Sequence, residues 1–155
     1  MGELPAAFAA LGQDPSVRVI VLASEYERCF SVGADLTMLA VIDREAADAI
    51  DQVTGFMKRM NVHFSAIESC PKPVIAAING FALGGGSELT LCCDFRIMVE
   101  DGRSKIGQTE SSPAIIPGPG GPQRLPPTIG QARAIPALHE PPPPPATEAH
   151  TVGRG

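Results

Sequence analysis

Residues 79–91 read NGFALGGGSELTL, a glycine-rich stretch that leads from a predicted strand at residues 73–78 into a predicted helix. The glycines Gly84 to Gly86 carry no Cβ atoms, so a bound group could contact the main chain directly. The helix that follows would supply free N–H groups and the positive end of its dipole. Such a site binds an anion, or an oxygen that becomes anionic during a reaction. Taken alone, glycines here are more often explained by close packing of strand and helix.

Other glycine-containing motifs do not fit this stretch. No GxxxxGK[ST] follows it and no GxGxxG spans Gly84 to Leu89, so neither a P-loop nor a dinucleotide-binding motif is predicted. Residues 85–89 (GGSEL) lack the closing glycine of a nucleophile elbow. An oxyanion site and a purely structural loop therefore stay as the two interpretations.

Strand and helix patterns alternate on both sides of the glycines. Residues 17–23 (VRVIVLA) and 73–78 (PVIAAI) predict buried strands, and residues 94–99 predict a third. Apolar residues recur at helical spacing from Asp43, a plausible N-cap, until Pro71 ends the helix. A short amphipathic helix precedes the first strand. This order of elements predicts an α/β fold.

The composition changes in the last third of the chain. Beyond Lys105 the sequence predicts loops, and five successive prolines occupy positions 141–145. Proline cannot continue a helix, because it lacks the N–H donor and clashes with the preceding turn. We therefore predict a domain over residues 1–135 and an extended or disordered tail over residues 136–155.

Length and charge limit the classes of function. The chain has 155 residues, of which 44% are apolar, and a net charge of −5. It is long enough for one domain with a core, and its acidic balance argues against nucleic acid as a partner. No apolar run reaches membrane-spanning length and no signal-peptide profile opens the chain, so no membrane partner is predicted.

The cysteines do not suggest a metal site. All four lack a CxxC pairing and a histidine at zinc-ligand spacing. They are predicted to be buried thiols in a reducing compartment. We expect no bound metal.

A second loop and two acids are candidates for chemistry. Gly33-Ala34-Asp35 follows the first strand, and parallel neighbouring strands would bring it near Gly85, so that two N–H groups could hold one oxygen. Glu88 opens the helix after the glycines, where stabilising the helix dipole is the simplest role. Glu110 lies in a Gly/Pro-rich loop. If the two carboxylates converge there, they could perform acid–base chemistry on a substrate held by its carbonyl.

Six segments along the chain form an ordered set: CFSVGADL (29–36), PKPVIAAING (71–80), GGGSEL (84–89), CD (93–94), IGQTE (106–110) and IPGPGGPQRL (116–125). No single motif is decisive, but the ordered set is highly specific. In order and spacing, over about residues 3–135, these segments resemble the enoyl-CoA hydratase/isomerase (crotonase) superfamily.

The resemblance implies a fold and an activity. The fold is a crotonase-like ββα spiral core, incomplete at both ends of this sequence. The N–H groups of Ala34 and Gly85 would form an oxyanion hole for a thioester carbonyl, Glu88 would help to activate water, and Glu110 would deliver a proton to the α-carbon. Both acids together favour an enoyl-CoA hydratase. The alternatives are an enoyl-CoA isomerase that chiefly uses Glu110, and a catalytically inactive fragment.

The resemblance also implies a substrate site and an assembly. Coenzyme A would enter as part of the acyl-CoA substrate, with no separate cofactor. A homo-oligomer, a trimer or dimer of trimers, is expected of the full-length family but not of a chain without its C-terminal helices. The expected compartment is the cytoplasm, or the mitochondrial matrix for a eukaryotic parent. The implied substrate-binding residues are Arg28 near the CoA nucleotide, then Ala34, Asp35, Leu36, Thr37, Gly85 and Gly118.

Three residues depart from the pattern of this family. Thr109 stands where the family usually has Pro before the second acid. Pro119 and Pro122 stand in the glycine turn where a small residue and Thr are usual. Since proline lacks an N–H and fixes φ, we expect the loop that carries Glu110 and the turn beside it to be reshaped.

Overall fold

Two small parallel sheets and six helices make up the described part of the chain. The computed structural model describes residues 3–35, 37, 46–112, 115–139 and 142–154. The predicted α/β class with parallel strands is confirmed. The helices are α1 (Glu3–Gln13), α2 (Ala49–Glu68), α3 (Gly85–Leu91), α4 (Gly121–Ile129), α5 (Gln131–His139) and α6 (Ala146–Thr151). The strands are β1 (Ile20–Ala23), β2 (Cys29–Ser31), β3 (Val74–Ile78), β4 (Phe81–Leu83), β5 (Phe95–Met98) and β6 (Ile106–Gly107).

Successive strands along the chain belong alternately to the two sheets. One sheet has the order β1-β3-β5 and the other the order β2-β4-β6, and every pairing is parallel. The chain therefore adds one strand to each sheet at every turn of the fold. The three strands predicted from the sequence are β1, β3 and β5, which together form the first sheet.

The main core lies where the two sheets, α1 and α2 meet. In β3 the side chains of Val74, Ala76 and Ile78 are buried, while the alternate positions are half-buried. Phe64 and Ile67, one turn apart on α2, are buried in the same cluster. The helical spacing of α2 and the period-two spacing of β3 thus put their apolar faces together. Asp43, the predicted N-cap of this helix, lies outside the described residues.

The second sheet was not predicted. Residues 24–35 had no strand prediction and the region beyond Lys105 was expected to form loops, yet they contain β2 and β6; β4 had no strand prediction either. These strands are two or three residues long, too short to show a periodic pattern. These residues form strands because neighbouring strands pair with them, and not because their own amino-acid composition favours a strand.

The predicted loop over residues 115–125 is wrong at its C-terminal end. Helix α4 begins at Gly121 and places Pro122 in its first turn, where proline's missing N–H would have had no partner in any case. Leu125 and Ile129 are buried with Ala134 of α5 in a second, smaller cluster. Burial of these apolar side chains stabilises the helix despite its internal prolines.

The prediction of an extended or disordered tail over residues 136–155 is also wrong for its described part. Helix α5 continues through Pro136 to His139, and α6 follows the prolines. Although proline cannot donate a hydrogen bond, its carbonyl can accept one: Ile106 N–H donates to Pro144 O at 3.2 Å. The proline segment therefore covers the edge of β6. Within the described ranges, no helix has the length and apolar content needed to cross a membrane.

Candidate active site

Three loops meet at one edge of the β2-β4-β6 sheet. Because β2 pairs in parallel with β4 and β4 with β6, the chain leaves all three strands at the same edge. Residues 32–35, 84–86 and 108–110 follow these strands. The carboxyl edge of a parallel sheet is where α/β folds usually bind ligands.

Two main-chain N–H groups lie side by side at this edge. A Cβ atom on Gly33, where φ is +88°, would lie 2.8 Å from the Gly85 nitrogen, and a Cβ atom on Gly85 would lie 3.7 Å from the Ala34 nitrogen. Gly85 is the first residue of α3, so its N–H has no acceptor within the helix. No described residue accepts a hydrogen bond from the Ala34 N–H. As the parallel arrangement predicted, the structure brings Ala34 close to Gly85.

Glu88 lies one turn into α3 and is fully buried, with a side-chain exposure of 0%. Its Oε1 atom accepts a hydrogen bond from the Gly121 N–H at 2.6 Å, and its Oε2 atom has no hydrogen-bond partner among the described residues. Burial raises the pKa of this carboxyl to about 7, opposed by the Gly121 N–H and assisted by the negative charge of Glu110. A carboxyl with these properties can exchange a proton near neutral pH.

Glu110 follows β6 and is nearly buried. Its Oε2 atom accepts a hydrogen bond from the Thr109 N–H at 2.8 Å. With its amide oriented to satisfy both groups, Gln108 also donates to the Glu110 carboxylate, at 3.0 Å from Oε2 and 3.3 Å from Oε1. Burial raises the pKa of Glu110, while main-chain N–H groups, including that of Thr109, lower it. The structure therefore holds one oxygen of each acid by a main-chain N–H.

Both acids open onto a single cavity of about 470 Å³ together with the paired N–H groups. Gly84 leaves room for Glu110, because a Cβ atom there would lie 3.1 Å from Glu110 Oε1. The wall opposite is apolar and comes mainly from α2 and the segment after residue 114. Its side chains are those of Val32, Phe56, Met57, Met60, Ile115, Ile116 and Pro119. Such a cavity suits an apolar chain whose polar end meets the carboxylates.

Two supporting residues were missed in the sequence. Gly121, whose N–H holds Glu88, was assigned to a loop, and Arg124 was not singled out. The Arg124 guanidinium donates to Pro119 O at 2.9 Å and forms an ion pair with Glu68 of α2 at 2.8 Å. It thereby fixes the turn between the cavity wall and Gly121. The segment IPGPGGPQRL contains both residues, but nothing in it shows which carboxylate they serve.

The other predicted binding residues lie in different places. Gly118 lines the cavity and packs on the Met57 sulfur. Asp35 is exposed, and its carboxylate accepts hydrogen bonds from the N–H and hydroxyl of Thr37 at 2.9 and 2.7 Å, which lowers the pKa of Asp35. Leu36 lies outside the described residues.

Arg28 is not brought to the acid pair. It precedes β2, at the amino edge of the sheet, and lines a second cavity with Glu27, Asp101 and Arg103. Strand residues rise about 3.3 Å each, so this edge is roughly 10 Å from the carboxyl edge. Arg28 therefore lies far from the two acids.

The cysteines lie away from the cavity lining. Cys92 and Cys93 are buried free thiols, and burial raises the pKa of each to about 12. Their burial agrees with the prediction, whereas Cys29 and Cys70 are only half-buried. Among the described residues, no cluster of three or more His, Cys, Asp or Glu side chains is arranged to hold a metal ion.

Comparison with known proteins gives the same family repeatedly. The family described as "Enoyl-CoA hydratase/isomerase" matches residues 1–153. A crotonyl-CoA hydratase of Syntrophomonas wolfei is 39% identical over 140 residues, covering 88% of this chain and 50% of the relative. The human mitochondrial methylglutaconyl-CoA hydratase is 41% identical over 131 residues, covering 84% and 36%.

Solved structures agree with the sequence relatives. The crystal structure of an enoyl-CoA hydratase from Bacillus anthracis superposes with a TM-score of 0.88 at 39% identity, covering 99% of this chain and 56% of that one. A Thermoplasma volcanium enoyl-CoA hydratase gives a TM-score of 0.86 at 33% identity, covering 99% and 58%. The chain thus spans about half the length of the curated relatives it matches.

Proposed function

Because the chain belongs to the enoyl-CoA hydratase/isomerase family, we propose that it catalyses the reversible addition of water to a trans-2-enoyl-CoA thioester. The observation that supports this proposal is the shared cavity, whose lining includes Glu88 and Glu110 as well as Ala34 and Gly85. Water addition needs one group to take a proton from water, one to give a proton to carbon, and a site for the charge on the thioester oxygen.

Each of these parts has a candidate in the cavity. The thioester oxygen would accept hydrogen bonds from the N–H groups of Ala34 and Gly85 and gain enolate character as the C3–O bond forms. Glu88 would take a proton from the attacking water at its unpartnered Oε2 atom. Glu110 would give a proton to C2, and the product would be a 3-hydroxyacyl-CoA. These steps balance without any further cofactor, since coenzyme A is part of the substrate.

The apolar wall supports an acyl chain as the group next to the reacting carbons. The exposed surface of Met57, Phe56 and Ile116 would otherwise be in contact with water, and its burial against a hydrocarbon is favourable by about 25 cal/mol per Å². Relatives named for crotonyl-CoA and methylglutaconyl-CoA differ in the acyl group. We propose only the shared enoyl-CoA class.

The test is hydration of crotonyl-CoA by the purified chain and its Glu88→Gln and Glu110→Gln variants, followed by loss of the enoyl thioester absorbance. Each substitution keeps the side-chain shape and should lower kcat/KM by about a hundredfold or more. Glu25→Gln, at an exposed position, is the matched control and should retain wild-type activity. Activity that neither cavity variant reduces would contradict the proposal, and an inactive but cooperatively folded wild-type chain would favour the inactive-fragment alternative.

A second candidate, double-bond isomerisation of a 3-enoyl-CoA, is favoured by the unequal acids. A pKa of about 7 keeps Glu88 partly protonated at neutral pH, whereas Glu110 has two donors on its Oε2 atom. An ionised Glu110 could remove a proton from C2 and return it to C4. Assays with crotonyl-CoA and a 3-enoyl-CoA separate the two reactions, because hydration without double-bond migration excludes this candidate.

A further inference from the structure

In the turn that carries Glu110, one main-chain N–H donates a hydrogen bond to a side chain instead of to a main-chain carbonyl. Ser112 N–H donates to Thr109 O at 3.1 Å and Ile115 N–H donates to Glu110 O at 2.9 Å, so the carbonyl groups close the turn. The Thr109 N–H lies just beyond β6 and takes part in no main-chain pairing among the described residues. It donates instead to Glu110 Oε2 at 2.8 Å. A proline in place of Thr109 could not make this bond.

The bond fixes which oxygen of Glu110 faces the cavity. Oε2 accepts a hydrogen bond from the Thr109 N–H, and the Gln108 amide lies 3.0 Å from Oε2 and 3.3 Å from Oε1. Oε1 lies toward Gly84, at the start of the loop that carries the paired N–H groups. A carboxylate that accepts hydrogen bonds from two such donors is favoured in its ionised form. Gln108 is itself buried, with an exposure of 3%, so its amide has little freedom to turn away.

Glu88 has a different environment, although it faces the same cavity. Its Oε1 atom has one donor, the Gly121 N–H, and its Oε2 atom has none among the described residues. Two carboxylates that share a mostly apolar cavity cannot both ionise without mutual repulsion, and the charge of Glu110 raises the pKa of Glu88. Of the other charged groups, the Arg124 guanidinium acts on Glu88 and lowers its pKa, but this effect is smaller than those of burial and of the Gly121 N–H.

We propose that the main-chain N–H of Thr109 is a positioning group that keeps Glu110 ionised and thereby assigns the single proton of the acid pair to Glu88. The assignment of the proton rests on geometry alone, and its catalytic consequence rests on the proposed function. The resting enzyme then holds Glu110 ready to accept a proton from C2 and Glu88 ready to give one. Catalysis of hydration must first move the proton between the two acids.

The test compares Thr109→Pro, which removes the N–H, with Thr109→Ala, which keeps the N–H and removes only the hydroxyl. Carbon-13 NMR of the glutamate side-chain carboxyls, with Glu88 and Glu110 assigned from their Gln variants, follows each acid across pH 4 to 9. In the wild type and Thr109→Ala we expect Glu110 to ionise before Glu88. In Thr109→Pro the pKa of Glu110 should rise toward that of Glu88. If Thr109→Pro titrates like Thr109→Ala, the proposal is wrong.

A measurement on the wild type keeps the test decisive should Thr109→Pro fail to fold. The Thr109 amide proton should resonate downfield and shift as Glu110 titrates, and this shift should disappear in Glu110→Gln. An amide proton that does not respond to Glu110 would overturn the proposal. These readouts need no turnover, so they are independent of whether the chain hydrates crotonyl-CoA.

The kinetic consequence can be measured if the chain is active. Loss of one hydrogen bond to a charged group should reduce kcat/KM for hydration and dehydration by the same factor, roughly tenfold, since the overall equilibrium is fixed. The acid limb of the pH profile should move to higher pH in Thr109→Pro and keep its wild-type position in Thr109→Ala. A pH profile that moves equally in both variants would contradict the role of the N–H.

Discussion

The two edges of the β2-β4-β6 sheet are formed by the opposite ends of the same three strands, but the side chains at each edge have different environments. At the carboxyl edge, Gly33 and Gly85 bring two N–H groups together, and Glu88 and Glu110 are buried around a cavity. At the amino edge, the side chains of Arg28 and Asp101 are exposed and line the second cavity. Burial is what separates them: it raises the pKa of Glu88 and of Glu110 at the carboxyl edge, whereas hydrogen bonds lower the pKa of the exposed Asp101 at the amino edge.

The largest expected effect comes from putting a methyl group between the two N–H donors. Gly33→Ala adds a Cβ 2.8 Å from the Gly85 nitrogen at a residue with φ of +88°. It should displace an oxyanion donor and lower kcat/KM by about a hundredfold to a thousandfold. Crotonyl-CoA hydration and thermal unfolding of the variant would be measured together.

Gly102→Ala at the amino edge is the matched control for backbone strain. Gly102 has φ of +69°, but a Cβ atom there would meet nothing within 4 Å. We expect a stability cost of about 1–2 kcal/mol from the left-handed conformation and no change in kcat/KM. If both variants lose the same activity, the close approach of Gly33 and Gly85 is not what catalysis requires.

The next effect is on the pH dependence of the free energy of unfolding, which we expect to have opposite sign for an acid at each of the two edges. The folded chain raises the pKa of Glu88 from about 4.5 to about 7 through burial, so above pH 4.5 the unfolded state loses a proton that the folded state keeps. Stability should therefore fall between about pH 4.5 and 7, by roughly 3 kcal/mol in all. Because the glutamine in Glu88→Gln cannot ionise, urea unfolding of this variant should show no such fall in stability between pH 4.5 and 7.

Asp101 supplies the opposite case. Hydrogen bonds from the Ser104 N–H, the Arg103 N–H and the Ser104 hydroxyl lower its pKa to about 2. Its contribution to stability is present above the unfolded value near 3.8 and is lost as the pH falls toward 2. Asp101→Asn should lose stability at neutral pH and not at pH 2. The same pH dependence in both variants would contradict the contrast between the edges.

A smaller effect is expected from loosening the turn behind the cavity. Arg124→Met removes the donor to Pro119 O and the partner of Glu68. The Gly121 N–H should then hold Glu88 less firmly, and kcat should fall about tenfold, with a stability loss of about 1–2 kcal/mol. Glu68→Gln is the control, because it removes only a half-exposed ion pair and should cost less than about 1 kcal/mol. If the two variants have equal effects on kcat and stability, the ion pair with Glu68, and not the hydrogen bond to Pro119 O, positions the turn.

The smallest effect is expected at the amino edge itself. If Arg28 contacts the nucleotide part of CoA, Arg28→Ala should raise KM for crotonyl-CoA about threefold to tenfold and leave kcat unchanged, as for a screened surface charge. The KM for a crotonyl-pantetheine thioester, which lacks the nucleotide, should not change. Arg103→Ala, in the same cavity, shows whether any positive charge there has this effect. An unchanged KM for crotonyl-CoA would remove Arg28 from the substrate site.

The sequence predicted structure correctly where the amino-acid pattern within a single segment is enough to define an element. Strands β1, β3 and β5 are apolar runs, and the glycines at 84–86 leave the main chain bare whatever surrounds them. The approach of Ala34 to Gly85 followed from the parallel order alone. By contrast, β2, β4 and β6 are two or three residues long, and α4 and α6 are stabilised by burial that local propensity does not reveal.

The amino-acid sequence by itself determined the α/β class, the family and the residue types available for chemistry. Only the tertiary structure decided that Glu88 and Glu110 share one cavity and that Gly121, distant by 33 residues, holds Glu88. It also decided that Arg28 lies at the other edge of the sheet. The physical reason is that a residue's type is fixed locally, whereas its burial, its hydrogen-bond donors and hence its protonation depend on segments far apart in the chain.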